Sequence, residues 1–243
     1  MLLTIDVGNT YIKIAVFEQD ILLIKEILAY KDWKNNLKKS LKNFKNLNNV
    51  IISSVGKLEK EDFLRFFKLY NVYYVDENTK FPFKNLYKTP LTLGTDRKIL
   101  ASGAVLKYPN KNRLVIDAGT CITYDFIDIQ NNYNGGAISP GIRLRYESLN
   151  NYTQKLPLLK KELPNSIIGN STNESIHSGI INGVTFEIDE FINEYSKKYE
   201  NFIIILTGGD SDFLAKRLKN TIFANSNFLL ESLNKTFQFN NND

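Results

Sequence analysis

Two short acidic, glycine-containing turns are where this chain can do chemistry. Asp6, Val7, Gly8, Asn9 and Thr10 follow the apolar run Leu2–Asp6, and Asp117, Ala118, Gly119 and Thr120 follow Leu114–Asp117 in the second half. A carboxylate at the end of a buried strand can hold a hydrated Mg²⁺, an ion that keeps several waters and takes one or two carboxylates together with phosphate oxygens. Gly8 admits the positive φ of a tight hairpin and lets the backbone approach an anion. Asn9 and Thr10 add donors, successive backbone N–H groups in such a turn form an anion nest, and Lys13 is close in sequence. An ordinary hairpin uses the same Asn and Gly. The second turn argues against coincidence: two glycine turns after two buried strands can grip one polyphosphate, with the Thr120 hydroxyl on a phosphate oxygen and the Asp117 carboxylate on a cation.

Four further segments carry chemistry or punctuation. Gly94, Thr95, Asp96 and Arg97 lie just before a helical pattern, where backbone N–H groups favour anions. Asp96 can accept a proton from a hydroxyl nucleophile and Arg97 can fork onto a carboxylate; a helix cap followed by a surface Arg is the plainer alternative. In phosphoryl transfer, positioning and charge neutralisation dominate, so a weakly basic carboxylate suffices. GGAISPG (Gly135 to Gly141) reads either as the wall of a small-molecule pocket or as a structural turn. GNST (Gly169 to Thr172) precedes a long helical pattern that Ser171 or Thr172 can cap. In LTGGD (Leu206 to Asp210), Gly208 and Gly209 leave room for a flat ring such as adenosine, although a plain strand-to-helix turn looks the same.

The elements that must position these residues repeat. Each Asp-x-Gly turn leads into a second strand (Tyr11 to Phe17; Cys121 to Asp128) and a third (Ile21 to Leu28; Asn134 to Ser139), so each half opens as an antiparallel meander. In the first half, helices near Asp32 to Asn46 and Glu59 to Leu69 alternate with strands Val50 to Ser54 and Val72 to Val75, and a helix near Lys98 to Lys107 follows. Phe63, Phe66, Phe67 and Tyr70 make an apolar stripe at helical spacing. The second half continues with a helix near Gly141 to Asn150, a long helical pattern from about Glu174 to Lys198, the strand Phe202 to Leu206, and a last helix. This order predicts an internal duplication: α/β, two mixed sheets with flanking helices and a cleft between them. The expected halves are 1–111 and 112–243, divided near Asn110 to Asn112, and the tail after Phe239 is expected to fray.

Composition excludes several classes. With 243 residues, 43% of them hydrophobic and 23% charged, the chain can bury a sizeable core, and its single Cys cannot form an internal disulfide. No apolar run approaches a membrane span and no leader pattern opens the chain, so a cytoplasmic location and no membrane partner are expected. The net charge of +5 is carried mostly by Lys. Its densest stretch, Lys34 to Lys45, places Leu37, Leu41 and Phe44 on one helix face, which reads as a solvated surface helix and not as a nucleic-acid patch.

DVGNT, LGTDR, DAGT, GGAISPG, GNST and LTGGD occur in the order and approximate spacing of the type III pantothenate kinases, and the resemblance spans Asp6 to Asp210. It implies the duplicated actin-like (ribonuclease H-like) ATPase fold and phosphorylation of the terminal hydroxyl of pantothenate by ATP, the first step of coenzyme A synthesis. By the same resemblance, Asp6, Val7, Gly8, Asn9, Thr10, Tyr11, Ile12 and Lys13 look like the ATP phosphate loop, with Thr120 as its second phosphate contact. Asp96 resembles the general base. Gly94, Thr95, Asp96 and Arg97 resemble the pantothenate loop, with Tyr87 as an aromatic substrate contact and Thr172 as a further one. Asp117 resembles the ligand of a monovalent cation, K⁺ or NH₄⁺, required besides Mg²⁺. Members are homodimers.

Other residues carry less. Cys121 reads as a small buried side chain, His177 as structural, and Trp33 as core or interface. Two other functions fit the same motifs: a sugar-type kinase of the same superfamily, and a non-catalytic ATP-binding regulatory protein. Arg97 discriminates against the first, because sugars carry no carboxylate for it.

Overall fold

The computed structural model describes residues 1–56 and 58–241. Contacts gather the chain into two compact units. The first holds residues 1–109, 131–133 and those from Asn227 onward, and the second holds 110–130 and 134–226.

In the first unit, β1 (Leu2–Val7) is buried along its whole length and pairs antiparallel with β2 (Ile12–Glu18), which pairs antiparallel with β3 (Ile21–Leu28). After α1 (Trp33–Leu41), β4 (Asn49–Ser54) returns parallel to β1 on its other edge. After α2 (Lys60–Phe66), β5 (Asn71–Tyr74) adds parallel to β4. The strand order is β3-β2-β1-β4-β5, so β1 is central and its apolar residues are covered on both faces. The expected aromatic stripe is real: Phe63 and Phe67 are buried, and Trp33 lies 4.8 Å from the Phe63 ring. Both helices are shorter than expected. Asn-rich sequence after Leu41 turns instead of continuing the helix, and α2 ends at Phe66 ahead of a turn that closes from Tyr70 N–H to Phe67 O.

Next come β6 (Lys84–Asn85), paired parallel with Asn132 and Tyr133, and α3 (Thr95–Lys107), whose middle is fully buried. The second unit repeats the opening. Here β7 (Asn112–Ala118) pairs antiparallel with β8 (Cys121–Ile127), and β9 (Asn132–Pro140) lies beside β8. α4 (Ile142–Asn151) and α5 (Thr172–His177) follow, and a π-type turn over Ser178–Asn182 joins α5 to α6 (Gly183–Lys198), making the long helical run foreseen from sequence. β10 (Phe202–Thr207) pairs parallel with the free edge of β7; after α7 (Ser211–Ala215), the short β11 (Phe223–Ala224) pairs parallel with β10. In both sheets, then, the strand ending in the acidic turn sits between an antiparallel and a parallel neighbour.

The last helix, α8 (Phe228–Asn241), follows the second half in sequence but packs in the first unit. Its buried Phe228, Leu229, Leu230 and Leu233 meet α3 and the first sheet. Gly103 makes this possible, since a Cβ there would overlap Ser232, and Ser102 Oγ lies 2.8 Å from Thr236 Oγ1. Of the tail expected to fray, residues up to Asn241 are helical, and 242 and 243 lie outside the described residues. Among the described residues no helix is long and apolar enough to cross a membrane.

Candidate active site

In the first unit the register of β1 fixes the core of the site. Asp6 faces Lys13 across the antiparallel pair, with Nζ 3.7 Å from Oδ2. Asp6 is only 2% exposed, and burial pushes its carboxyl up to about 6. Lys13 pulls it back down, while the charge of Asp96 raises it further, so Asp6 and Asp96 act on each other electrostatically. The turn between β1 and β2 closes through a bond from the Gly8 N–H to Tyr11 O (3.1 Å), and the Tyr30 hydroxyl donates to Gly8 O. Gly8 does not take the positive φ expected of it: among the described glycines only Gly135 and Gly208 do. A side chain at Gly8 would make ordinary contacts, whereas one at Gly56 would overlap Tyr30 Oη and Gly8 O. Tyr30 and Gly56 therefore shape the loop from behind. No motif marked Tyr30 in the sequence; Gly56, a lone glycine just after a strand, was the available signal.

The GTDR segment is not ahead of its helix but inside it. Gly94 is the N-cap of α3, and Thr95, Asp96 and Arg97 form the first turn. This puts the Asp96 carboxylate at the positive end of a 13-residue helix, where it accepts from the Arg97 N–H at 2.8 Å. A Cβ at Gly94 would lie 2.5 Å from Asp96 Oδ1, so a side chain there would push that carboxylate aside. Arg97 is buried, with its guanidinium 5.6 Å from the centre of the Tyr87 ring. Tyr87 is itself held edge-on to Tyr133 and by its N–H to Asn85 Oδ1. Tyr87, Asp96 and Arg97, distant in sequence from Asp6 and Lys13, thus belong to one neighbourhood with them.

In the second unit Asp117 and Thr120 are half-buried on the β7–β8 turn, which closes from the Gly119 N–H to Cys121 O (2.9 Å). LTGGD folds over this end of β7: Asp210 N–H donates to Ala118 O, and Gly208, at φ 94°, lies so close that a Cβ would overlap Ala118 O and Asp117 Oδ1. Beside Gly209 there is open space instead. GGAISPG is strand up to Pro140, one residue beyond the expected third strand, and Gly141 packs against the carbonyls of Gly119 and Thr120. Ser171, not Thr172, caps α5 by accepting from the Glu174 N–H, and Thr172 is the exposed first helical residue, lining a groove of about 680 Å³ with Leu149, Leu156 and Ile176. Cys121 is exposed, against the expectation of burial: as the first residue of β8 it points away from the core that Ile122 enters. His177 is structural as expected, buried with Nδ1 2.7 Å from the Tyr146 hydroxyl.

Among the described residues no cluster of three or more acidic, His or Cys side chains could hold a metal alone. Asp6 fits Mg²⁺ in the other way, as one carboxylate completed by phosphate oxygens, and a cation there would offset the like charge of Asp96. Beside Asp117 the Gly208 backbone closely approaches both its Oδ1 and Ala118 O, hard oxygens of the kind an alkali cation takes.

Solved structures of low identity share this architecture. A Campylobacter jejuni protein ascribed to the Baf family of transcriptional activators matches with a TM-score of 0.65 at 20% identity, over 99% of this chain and 100% of that one. A glucokinase from an Antarctic psychrotroph matches with a TM-score of 0.51 at 12% identity, over 100% and 99%. These establish the actin-like ATPase and sugar kinase fold. Sequence relatives are much closer. The type III pantothenate kinase of Flavobacterium johnsoniae is 59% identical over 98% of both chains, and that of Flavobacterium psychrophilum 57% identical over 98% of this chain and 99% of its own. Since residues 2–194 also match the family described as type III pantothenate kinase, the chain belongs to that family.

Proposed function

We propose that the protein transfers the γ-phosphoryl group of ATP to the terminal hydroxyl of pantothenate, giving 4′-phosphopantothenate for coenzyme A synthesis. The observation that carries this reading is the convergence of Asp6, Lys13, Asp96, Arg97 and Tyr87 in one unit. Asp96 takes the proton from the attacking hydroxyl. Its place in the first turn of α3 and the bond it accepts from the Arg97 N–H hold the side chain at the helix start, fixed for that transfer. Arg97 binds the substrate carboxylate, and stacking on Tyr87 keeps its fork from swinging. Thr95 and Gly94 complete that loop, and Thr172 is a further pantothenate contact. The segment Asp6, Val7, Gly8, Asn9, Thr10, Tyr11, Ile12 and Lys13 lines the phosphates, with Thr120 on a phosphate oxygen.

Asp6 would hold Mg²⁺, which neutralises charge on the phosphates, and Asp117 would hold the monovalent cation, K⁺ or NH₄⁺. The working form is a homodimer in the cytoplasm. Arg97 favours this reading over a sugar-type kinase, because a buried guanidinium suits an anionic substrate.

A coupled ADP-release assay with pantothenate or glucose as acceptor, in K⁺ and Mg²⁺, is the test. Turnover is expected with pantothenate alone, and Asp96→Asn should lower kcat by about a hundredfold or more, the usual worth of a general base. Turnover on glucose alone, or full kcat in Asp96→Asn, would overturn the assignment.

A further inference from the structure

The roles above leave unexplained what holds the turn that carries Thr120. The Gly141 N–H donates to Thr120 O at 3.1 Å, and a Cβ at Gly141 would overlap the carbonyls of Gly119 and Thr120, so the backbone at Ser139–Gly141 lies flush against that turn. This segment is gripped by Arg145, in the first turn of α4 (Ile142–Asn151). Its Nε donates to Pro140 O at 2.8 Å and its Nη2 to Ser139 Oγ at 2.7 Å. Nη2 also donates to Glu187 on α6, and Glu187 Oε1 accepts from the Tyr124 hydroxyl at 2.9 Å. Tyr124 stands on β8, the strand that leaves the Thr120 turn, so the contacts run from the turn through Gly141, Arg145, Glu187 and Tyr124 and back to the strand beside it. The Arg145 and Glu187 side chains are only 21% and 23% exposed, which strengthens the charge pair relative to a surface one. Burial alone would raise the Glu187 carboxyl, but the hydrogen bonds from Arg145, Ser139 and Tyr124 outweigh it and hold the group below its ordinary value.

We propose that Arg145, itself held by Glu187, is a positioning residue for the nucleotide: it fixes Ser139–Gly141 against the β7–β8 turn and so sets where the Thr120 hydroxyl meets phosphate. This rests on the reading of Thr120 as a phosphate contact. Arg145 bonds only Pro140, Ser139 and Glu187 among the contacts that tie it to the turn, so its effect is expected in the ATP terms and not in those of the acceptor.

The test is calorimetric binding of a non-hydrolysable ATP analogue, with steady-state kinetics and melting temperature, on wild type and variants. Arg145→Met should weaken analogue binding and raise the KM for ATP by about tenfold, a typical cost of displacing a binding group by a fraction of an ångström. Its kcat and its KM for pantothenate should stay within about twofold of wild type. Arg145→Lys, which keeps a charge for Glu187 but cannot fork onto both Ser139 and Pro140, should recover part of the affinity. Glu187→Ala should resemble Arg145→Met, and the double variant should be no worse than either, because the two act as one unit. A lower melting temperature with unchanged ATP affinity would reduce the brace to a structural role and overturn the proposal. So would losses that add in the double variant, or a Thr120→Val variant that binds the analogue as wild type does. Analogue binding needs no pantothenate, so a wild type that binds the nucleotide but is silent on pantothenate would sink the proposed function alone.

Discussion

Asp6 shows what a functional carboxylate costs the fold. Buried among apolar strands, its carboxyl is pushed up to about 6, against 3.8 for a free group. A raised folded value means that folding favours the protonated form. The associated stability is complete below about pH 4 and is lost as pH rises through about 6. In the absence of nucleotide and metal, Asp6→Asn should therefore melt above wild type at pH 8, by on the order of 3 kcal/mol at 1.36 kcal/mol per unit, and the two should converge near pH 4. The same variant should lose kinase activity. Calorimetric melts across that range are the check, and a variant that is less stable than wild type at pH 8 would show that Lys13 already outweighs the burial. At this scale the sequence singled out Asp6, Asp96 and Arg97 because they sit in short motifs. It was silent about Tyr30, whose hydroxyl on Gly8 O depends on a strand-to-loop path that no local spacing encodes.

At the scale of elements, the glycines separate into those that allow contact and those that merely occupy a helix. Gly103 lies where α3 meets α8, and an added Cβ would fall 2.9 Å from the Ser232 Cα, a backbone atom that cannot swing away. Gly183, at the start of α6, has nothing within 4 Å of such a Cβ. Gly103→Ala should accordingly destabilise by about 1–3 kcal/mol through overpacking. Gly183→Ala should stabilise by about 0.4–1 kcal/mol, by reducing the freedom of the unfolded chain. Opposite shifts in denaturant midpoint would bear this out, and equal shifts would mean that α8 is not packed as described. Strand periodicity and turn chemistry made the two meanders legible from sequence alone. The helix starts were less so: Gly94 reads as loop until its extended backbone is seen capping α3, which draws Thr95, Asp96 and Arg97 into the helix. Within GGAISPG the strand was legible, and what no spacing showed is that Gly136 and Gly141 serve close approach to neighbouring backbone in and after it.

At the scale of the whole molecule, the duplication could be read from two like beginnings, but the destination of the last helix could not. Its apolar positions are visible in the sequence; which sheet they cover depends on tertiary packing between residues more than a hundred positions apart, as Ser102 and Thr236 show. That packing makes a prediction that chain order alone would get wrong. A chain ending at Ser226 loses the buried Phe228, Leu229, Leu230 and Leu233, each worth about 1.5–3 kcal/mol of burial. Together these rival the whole stability of an ordinary domain, about 5–15 kcal/mol. Hydrogen exchange on the truncated chain should therefore show protection lost from β1, β4 and α3, which α8 covers, while β7, β8 and β10, 110 positions or more from the start, keep theirs. If α8 instead served the half it follows in sequence, the loss would fall on β7 and β10 and leave β1 protected.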